Sequence, residues 1–395
     1  MSSSCLNKRE EFDARKARIQ RSMQAAGLDA LLITSPSNVW YVTGFWEFIP
    51  IRMEFVLLPS SGDACFMVSK NEHEYAVKTS VIDDVRYYTE FPEVGRRQSP
   101  FEILSDLVHE KGLAEATFGI EESALPIADC RRIGTLLPRA RLRDGSAILR
   151  EQRMIKSPYE IGLLRKSGKV AVAAWNATLR VAKPGIREYE IAQAARMAAT
   201  EAAAGEFGPE DINHSPLTDG VQLLQSGPRS SMSHGRASPN RLKLGDLVAI
   251  CFCMTNQFKG YRVGFSRNFA LGAASEKMNR VYALLYRAQQ IALGEVRPGV
   301  KASHLDRIVR GIISEAGYGE HIEHRLGRGV GLDIAEAPNL KEGDDTPLAA
   351  GMTLSVEPAV YITGEWGIQI EDSIVVTSTG FDYLTVAPEP ELPVI

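Results

Sequence analysis

The sequence predicts an α/β protein of two domains, and three observations carry that prediction. Its 395 residues correspond to roughly two domains of about 100–200 residues each. Through about the first 150 residues, short apolar strands alternate with amphipathic helices, the pattern of an α/β unit. Beyond them, one motif recurs ahead of two helices. Lys183-Pro-Gly-Ile186 and Arg297-Pro-Gly-Val300 each combine a basic residue, Pro-Gly and a β-branched residue, 114 positions apart.

The elements follow in order. Residues 11–27 carry apolar side chains at helical spacing (Phe12, Ile19, Met23) and stop at Gly27. Residues 30–34 form a short apolar strand, ended by Ser35-Pro36-Ser37-Asn38. Residues 55–59 and 64–68 read as a hairpin around Ser60-Ser61-Gly62-Asp63, with further strands at 117–120 and 140–142. A boundary follows near Arg153, giving expected domains of 1–153 and 154–395. Ser157, Pro158 and Glu160 open the second domain as a helix start: a capping hydroxyl, a first-turn proline and an acid at the third position. The two Pro-Gly motifs then precede helices at 187–204 and 302–316, which reads as a duplicated α/β half. Two such halves facing each other make a cleft lined from both sides.

Composition narrows the function. With 24% charged and 44% hydrophobic residues the chain is an ordinary globular protein, not a disordered, collagenous or coiled-coil one. Forty-five basic against forty-nine acidic residues leave a net charge of −4, so nucleic acid is a poor partner. No run approaches the ~18–20 apolar residues of a membrane span, and the first dozen residues do not read as a secretory signal. Five scattered cysteines argue against a disulfide framework and for a cytoplasmic location. Cys251-Phe-Cys253 has no second Cys pair and reads as alternate residues of a strand rather than a metal site.

Two stretches carry candidate chemistry. Residues 226–246 are rich in Gly, Ser and Pro and form a loop around His234, whose small neighbours leave its ring accessible. The plain alternative is a surface histidine. The loop ends at Gly245-Asp246, ahead of a buried strand at 247–253. Further on, Glu357 ends an apolar strand and Glu371 lies within another. A charge inside a strand is costly to bury unless paired or functional. Two carboxylates on adjacent buried strands can share a proton and act as acid and base, or ligate a metal. The alternative for each is an edge-strand glutamate facing water.

These pieces resemble the pita-bread superfamily of aminopeptidase P, prolidase, methionine aminopeptidase and creatinase. The matching segments are Ile155-Lys-Ser-Pro-Tyr-Glu-Ile161, Ser226-Gly with His234-Gly and Gly245-Asp246, Gly327-Arg-Gly-Val-Gly-Leu332, Ser355-Val-Glu357-Pro358 and Gln369-Ile-Glu371-Asp372. Ser35-Pro-Ser-Asn38 and Tyr41-Val-Thr-Gly44 resemble the smaller domain of prolidase and creatinase. The resemblance implies a small N-terminal α/β domain followed by a pita-bread domain with an internal pseudo-two-fold repeat.

It also implies, for the peptidases, two divalent ions held by two Asp, one His and two Glu. Here the Asp positions are Cys251 and Gly264, the His position is Arg328, and only Glu357 and Glu371 remain. A further peptidase histidine is Ala335. An arginine at a dication's seat repels rather than coordinates, so no metal and no cofactor are expected. Creatinase, a family member that works without metal, keeps a histidine at the place of His234. It also grips its substrate carboxylate with an arginine of the small domain, supplied by the neighbouring subunit. Spacing puts Arg52 in that role and a homodimer is implied; Glu54 and Glu47 are its alternative partners. The family's ectoine hydrolases suggest a second metal-free reaction.

The resulting expectation is a metal-independent, creatinase-like hydrolase cleaving a non-peptide C–N bond in a small amidine- or guanidine-type carboxylate. His234, Glu357 and Glu371 are its catalytic residues, and Arg52, Arg328, Ser266 and Tyr261 its substrate-binding ones. Ser266 stands where creatinase has a glutamate, which separates the substrate from creatine itself. Two alternatives stay open: an Xaa-Pro peptidase with an atypical metal site, and a non-catalytic binding protein.

Overall fold

The structure, a computed structural model, describes residues 8–46, 51–91, 99–218, 223–252 and 257–395. The chain divides into two compact units, one ending at Arg153 and the other beginning at Met154. Cys253 and Glu47 lie outside the described residues.

The N-terminal unit is built on a six-stranded sheet. Ala30–Ile33 and Phe55–Pro59 pair antiparallel at its centre. Thr117–Ile120 lies parallel to Ala30–Ile33 on the other side, and Arg141–Asp144 continues that edge. The central strands are buried along their whole length and read as continuous apolar runs, as expected where helices cover both faces. The first helix spans Lys8–Ala25. It buries an ion pair, Arg15 to Glu11 at 2.9 Å, with the guanidinium stacked 4.5 Å and 4.4 Å from the Phe12 and Tyr41 ring centres. Pairing and stacking together make so deep a charge tolerable.

The C-terminal unit opens with the helix Pro158–Val181. Its capping box is complete: Glu160 N donates to Ser157 Oγ at 3.3 Å, and Ser157 N to Glu160 Oε2 at 2.9 Å. The unit repeats itself. Helices Pro158–Val181 and Glu188–Gly205 are joined through Gly185, and helices Glu276–Gly294 and Ala302–Glu315 through Gly299. Both glycines sit at positive φ, 85° and 90°, where a side chain is strained. Each donates its N–H at 2.8 Å to a leucine carbonyl, Gly185 to Leu242 and Gly299 to Leu348. The residues two further on make equivalent isolated bridges, Arg187 to Arg241 and Lys301 to Pro347. The Pro-Gly motif thus recurs because each half needs the same reversal, pinned to its own strand-bearing segment.

Each half supplies an antiparallel sheet. The first contains Leu223–Ser226, Leu247–Cys251 and Ser266–Ala270. The second runs Glu336–Leu340, Gly327–Gly329, Thr353–Val356, Asp372–Val376 and Phe381–Tyr383. Glu371 sits just outside its strand, where backbone hydrogen bonds of 3.2 Å in both directions join it to Ser266 of the first sheet.

Candidate active site

A cleft of about 720 Å³ opens in the C-terminal unit, lined among others by His234, Cys251, His324, Arg328, Glu357 and Tyr361. Its floor is an ion triad. Arg328 rides on the three-residue strand Gly327–Gly329, whose glycines are compulsory. A Cβ on Gly327 would strike the Ser355 carbonyl, and one on Gly329 the Ala337 carbonyl. The strand is therefore clamped between both neighbours, and Arg328 projects at a fixed point. Its Nε donates to Ile334 O at 3.0 Å. Its Nη1 donates to Glu357 Oε1 and, at 3.3 Å, to Glu371 Oε1.

Glu371 is fully buried and saturated. Ser355 Oγ donates to its Oε1 at 2.6 Å and Ser266 Oγ to its Oε2 at 2.7 Å. Cys251 Sγ lies 3.7 Å from the same Oε2. Beneath it, Arg267 pairs with Asp372 at 2.6 Å and donates to the Glu371 carbonyl at 2.9 Å. Gln289 and Thr385 complete the Asp372 shell at 3.2 Å and 3.0 Å. Glu357 follows the strand Thr353–Val356 directly and accepts from Gln369 Nε2 at 3.0 Å. Burial pushes its carboxyl up to about 8, the Glu371 charge adds to that rise, and Arg328 opposes it.

His234 stands exposed on its loop, whose two ends are tied to one buried acid. Glu188 accepts from the N–H and hydroxyl of Ser226, both at 2.9 Å, and from those of Ser238 at 2.9 Å and 2.7 Å. Asn240 Nδ2 bridges the two ends by donating to Ser226 Oγ at 2.9 Å. Across the cleft, His324 Nδ1–H donates to Arg325 O at 2.8 Å. That leaves Nε2 of the neutral ring to accept from the Tyr361 hydroxyl at 3.3 Å. Burial lowers the His324 pKa and lifts that of Tyr361.

The other sequence-derived residues lie as follows. Ser266 is buried against Glu371 rather than facing the open cleft. Tyr261 is fully buried, its hydroxyl donating to Glu160 Oε1 at 2.6 Å. Arg52 belongs to the N-terminal unit and forms a two-point ion pair with Glu90 of that same unit, at 2.9 Å and 3.1 Å. Of its two expected partners, Glu54 is thus not the one it takes, and Glu47 lies outside the described residues. Sequence reasoning passes over His324, Arg325, Tyr361 and Glu188. His324-Arg325, directly ahead of the Gly-Arg-Gly strand, was the available signal for two of them. Nothing local marks Tyr361 or Glu188.

All five positions that the resemblance assigns to metal ligands do converge here. A Cβ on Gly264 would collide with the Glu371 carboxylate and the Ser355 hydroxyl. The donors present are two carboxylates with a guanidinium between them. Among the described residues, no group of three or more His, Cys, Asp or Glu could hold a metal ion. This set does not fit a pair of divalent ions.

Fold and site together define a two-domain hydrolase architecture with a carboxylate-floored cleft in a duplicated C-terminal domain. The chain belongs to metallopeptidase family M24, whose profile matches residues 162–378, with a creatinase/prolidase N-terminal domain at 15–155. The Xaa-Pro dipeptidase of Pyrococcus horikoshii is 30% identical over 363 residues, 92% of this chain and 94% of the relative. That of Pyrococcus furiosus is also 30% identical, over 94% and 97%. Among solved structures, the prolidase of P. horikoshii superposes with a TM-score of 0.79 at 29% identity, covering 95% of this chain and 99% of that one. An Xaa-Pro dipeptidase from Bacillus anthracis gives 0.82 at 28%, covering 97% and 99%.

These matches correct three expectations. The main reading, a non-peptide hydrolase of an amidine or guanidine carboxylate, gives way because the relatives carry peptidase names. The creatinase-like, metal-independent description falls with it, since the matching family is described as metallopeptidases. The small-molecule partner reading is corrected by the same dipeptidase names; within the chain, Arg52 pairs with Glu90. Hydrolase chemistry on a C–N bond is the coarse statement that stands. No described helix is long and apolar enough to cross a membrane.

Proposed function

We propose that the chain is a hydrolase of short Xaa-Pro peptides and that the cleft over Glu357 and Glu371 is its active site. The observation that carries this reading is the ion triad itself. It holds two buried carboxylates, one with a raised pKa, in a cleft of ligand size that also presents an accessible histidine. Glu357 retains its proton at neutral pH and is suited to protonate a leaving nitrogen. His234 is suited to take a proton from water. Glu371, saturated by Ser355, Ser266 and Arg328, sets the position of the pair rather than exchanging protons freely.

The test is proline release from Ala-Pro and Leu-Pro against Ala-Gly, with and without added Mn²⁺. Release from the proline peptides supports the reading, and no release from any of them under either condition overturns it. One observation favours a second reading, a peptide-binding protein without turnover: Arg328 engages both carboxylates at once. Binding of Ala-Pro by calorimetry with no proline released would select it.

A further inference from the structure

One ion pair outside the triad is buried as deeply as the triad itself. Lys156 stands just ahead of the helix Pro158–Val181, and its Nζ donates to Glu336 Oε2 at 2.7 Å. The two side chains are 2% and 8% exposed, against 9% and 10% for Arg328 and Glu357. A buried pair of this kind is weak evidence for stability, because apolar residues of similar volume often serve as well. The proposed chemistry uses neither residue, so the question is what the pair holds.

Both partners are anchored. The Lys156 N–H donates to Gly351 O at 2.9 Å. Gly351 has a φ of 90°, and a Cβ on it would lie 3.1 Å from the Lys156 carbonyl. The lysine therefore starts from a fixed backbone. The Glu336 carboxylate fills the inside of the turn 331–336. Its Oε1 accepts from Asp333 N at 3.1 Å, and a Cβ on Gly331 would strike both of its oxygens. The start of that turn is tied down as well. Val330 O accepts from Thr353 Oγ1 at 2.6 Å, and Gly331 O from Arg262 N at 2.7 Å.

The turn leads to Arg328. Ile334 O accepts from Arg328 Nε at 3.0 Å, and Ile334 and Ala335 line the cleft. A guanidinium is planar and rigid. Holding its Nε at Ile334 O fixes where Nη1 lies between Glu357 and Glu371. A turn free to shift would let the guanidinium swing, and the two carboxylates with it.

We infer that Lys156 and Glu336 are positioning residues: they set the turn whose Ile334 carbonyl orients Arg328 between Glu357 and Glu371. The inference rests on the peptidase reading and adds to it the pair that keeps the reacting carboxylates in register.

The experiment measures proline release from Ala-Pro by wild type, K156M, R328K and the double variant K156M/R328K, each well below its melting temperature. K156M should lower kcat about tenfold and leave KM within about threefold, because a shift of about 1 Å at the reacting groups costs rate rather than affinity. K156R keeps the cation and should recover most of that loss. R328K removes the Nε–H donated to Ile334 O, so adding K156M to it should change kcat by less than about twofold. An equal loss in both backgrounds, a K156M kcat within about twofold of wild type, or a raised KM with kcat unchanged each overturns the inference. Should K156M not fold, E336Q takes its place. It keeps an acceptor for Asp333 N–H and removes only the charge that holds Lys156. The peptidase reading fails separately, if wild type releases no proline. The inference is then read from the urea midpoints of the same set: a K156M shift that shrinks in R328K supports it, and additive shifts overturn it.

Discussion

Glu357 is a carboxyl group whose surroundings oppose its charge. Its pKa of about 8 lies above the usual carboxylate value, so the folded state holds a proton that the unfolded chain has released. Between about pH 4.5 and 8 the folded form therefore binds more protons, and stability falls as the pH rises through that window. E357Q removes the titration. Its melting temperature should gain on wild type as the pH goes from 5 to 8, and a constant difference would refute the raised pKa. Turnover should decline above about pH 8 as the same proton leaves. His234 is the other proton carrier, and H234A should reduce turnover by roughly 10²–10⁴-fold; a loss of only a few-fold would exclude it. Arg328 is a structural hinge of the pair. R328A leaves the buried Glu371 charge uncompensated beside the Glu357 carboxyl and should destabilise by about 3–5 kcal/mol in denaturant melts, with E371Q recovering part of that loss.

The elements that carry these residues are held by a few pinned points. The loop bearing His234 is anchored at both ends to Glu188. E188A orphans several buried donors at once and should cost about 2–4 kcal/mol. In the surviving folded protein it should lower turnover, because the loop that carries His234 is loosened. A cost under half a kcal/mol would show that Glu188 does not hold the loop. The two Pro-Gly reversals predict a paired outcome. G185A and G299A each place a side chain at positive φ, at a cost of about 1–2 kcal/mol. Lying in different halves, their effects should add.

At the scale of the whole molecule, the described lining of the cleft belongs to the C-terminal unit. R52A should then leave turnover within about threefold of wild type; a loss of a hundredfold would return Arg52 to the site. The net charge of −4 does not by itself attract an anionic peptide.

Much of this was legible in the sequence. Strand and helix order, the capping box at Ser157 and the repeated Pro-Gly reversal all express local rules: periodicity, capping and backbone conformation act over a few residues. Glycines at 264, 327 and 329 and the pair Glu357 and Glu371 could be read as a motif. Which partner each charge takes could not be read. Arg52 finds Glu90, 38 positions on, and Arg328 finds carboxylates 29 and 43 positions on. Tyr261, expected from the sequence to bind substrate, is sealed against Glu160 by a contact across 101 positions. Ion pairs and burial depend on distances in space that chain order does not encode. The sequence by itself therefore settled the elements, the duplication and the family. Only the tertiary structure decided that both expected carboxylate-gripping arginines are already paired and that Arg325 is left facing the cleft.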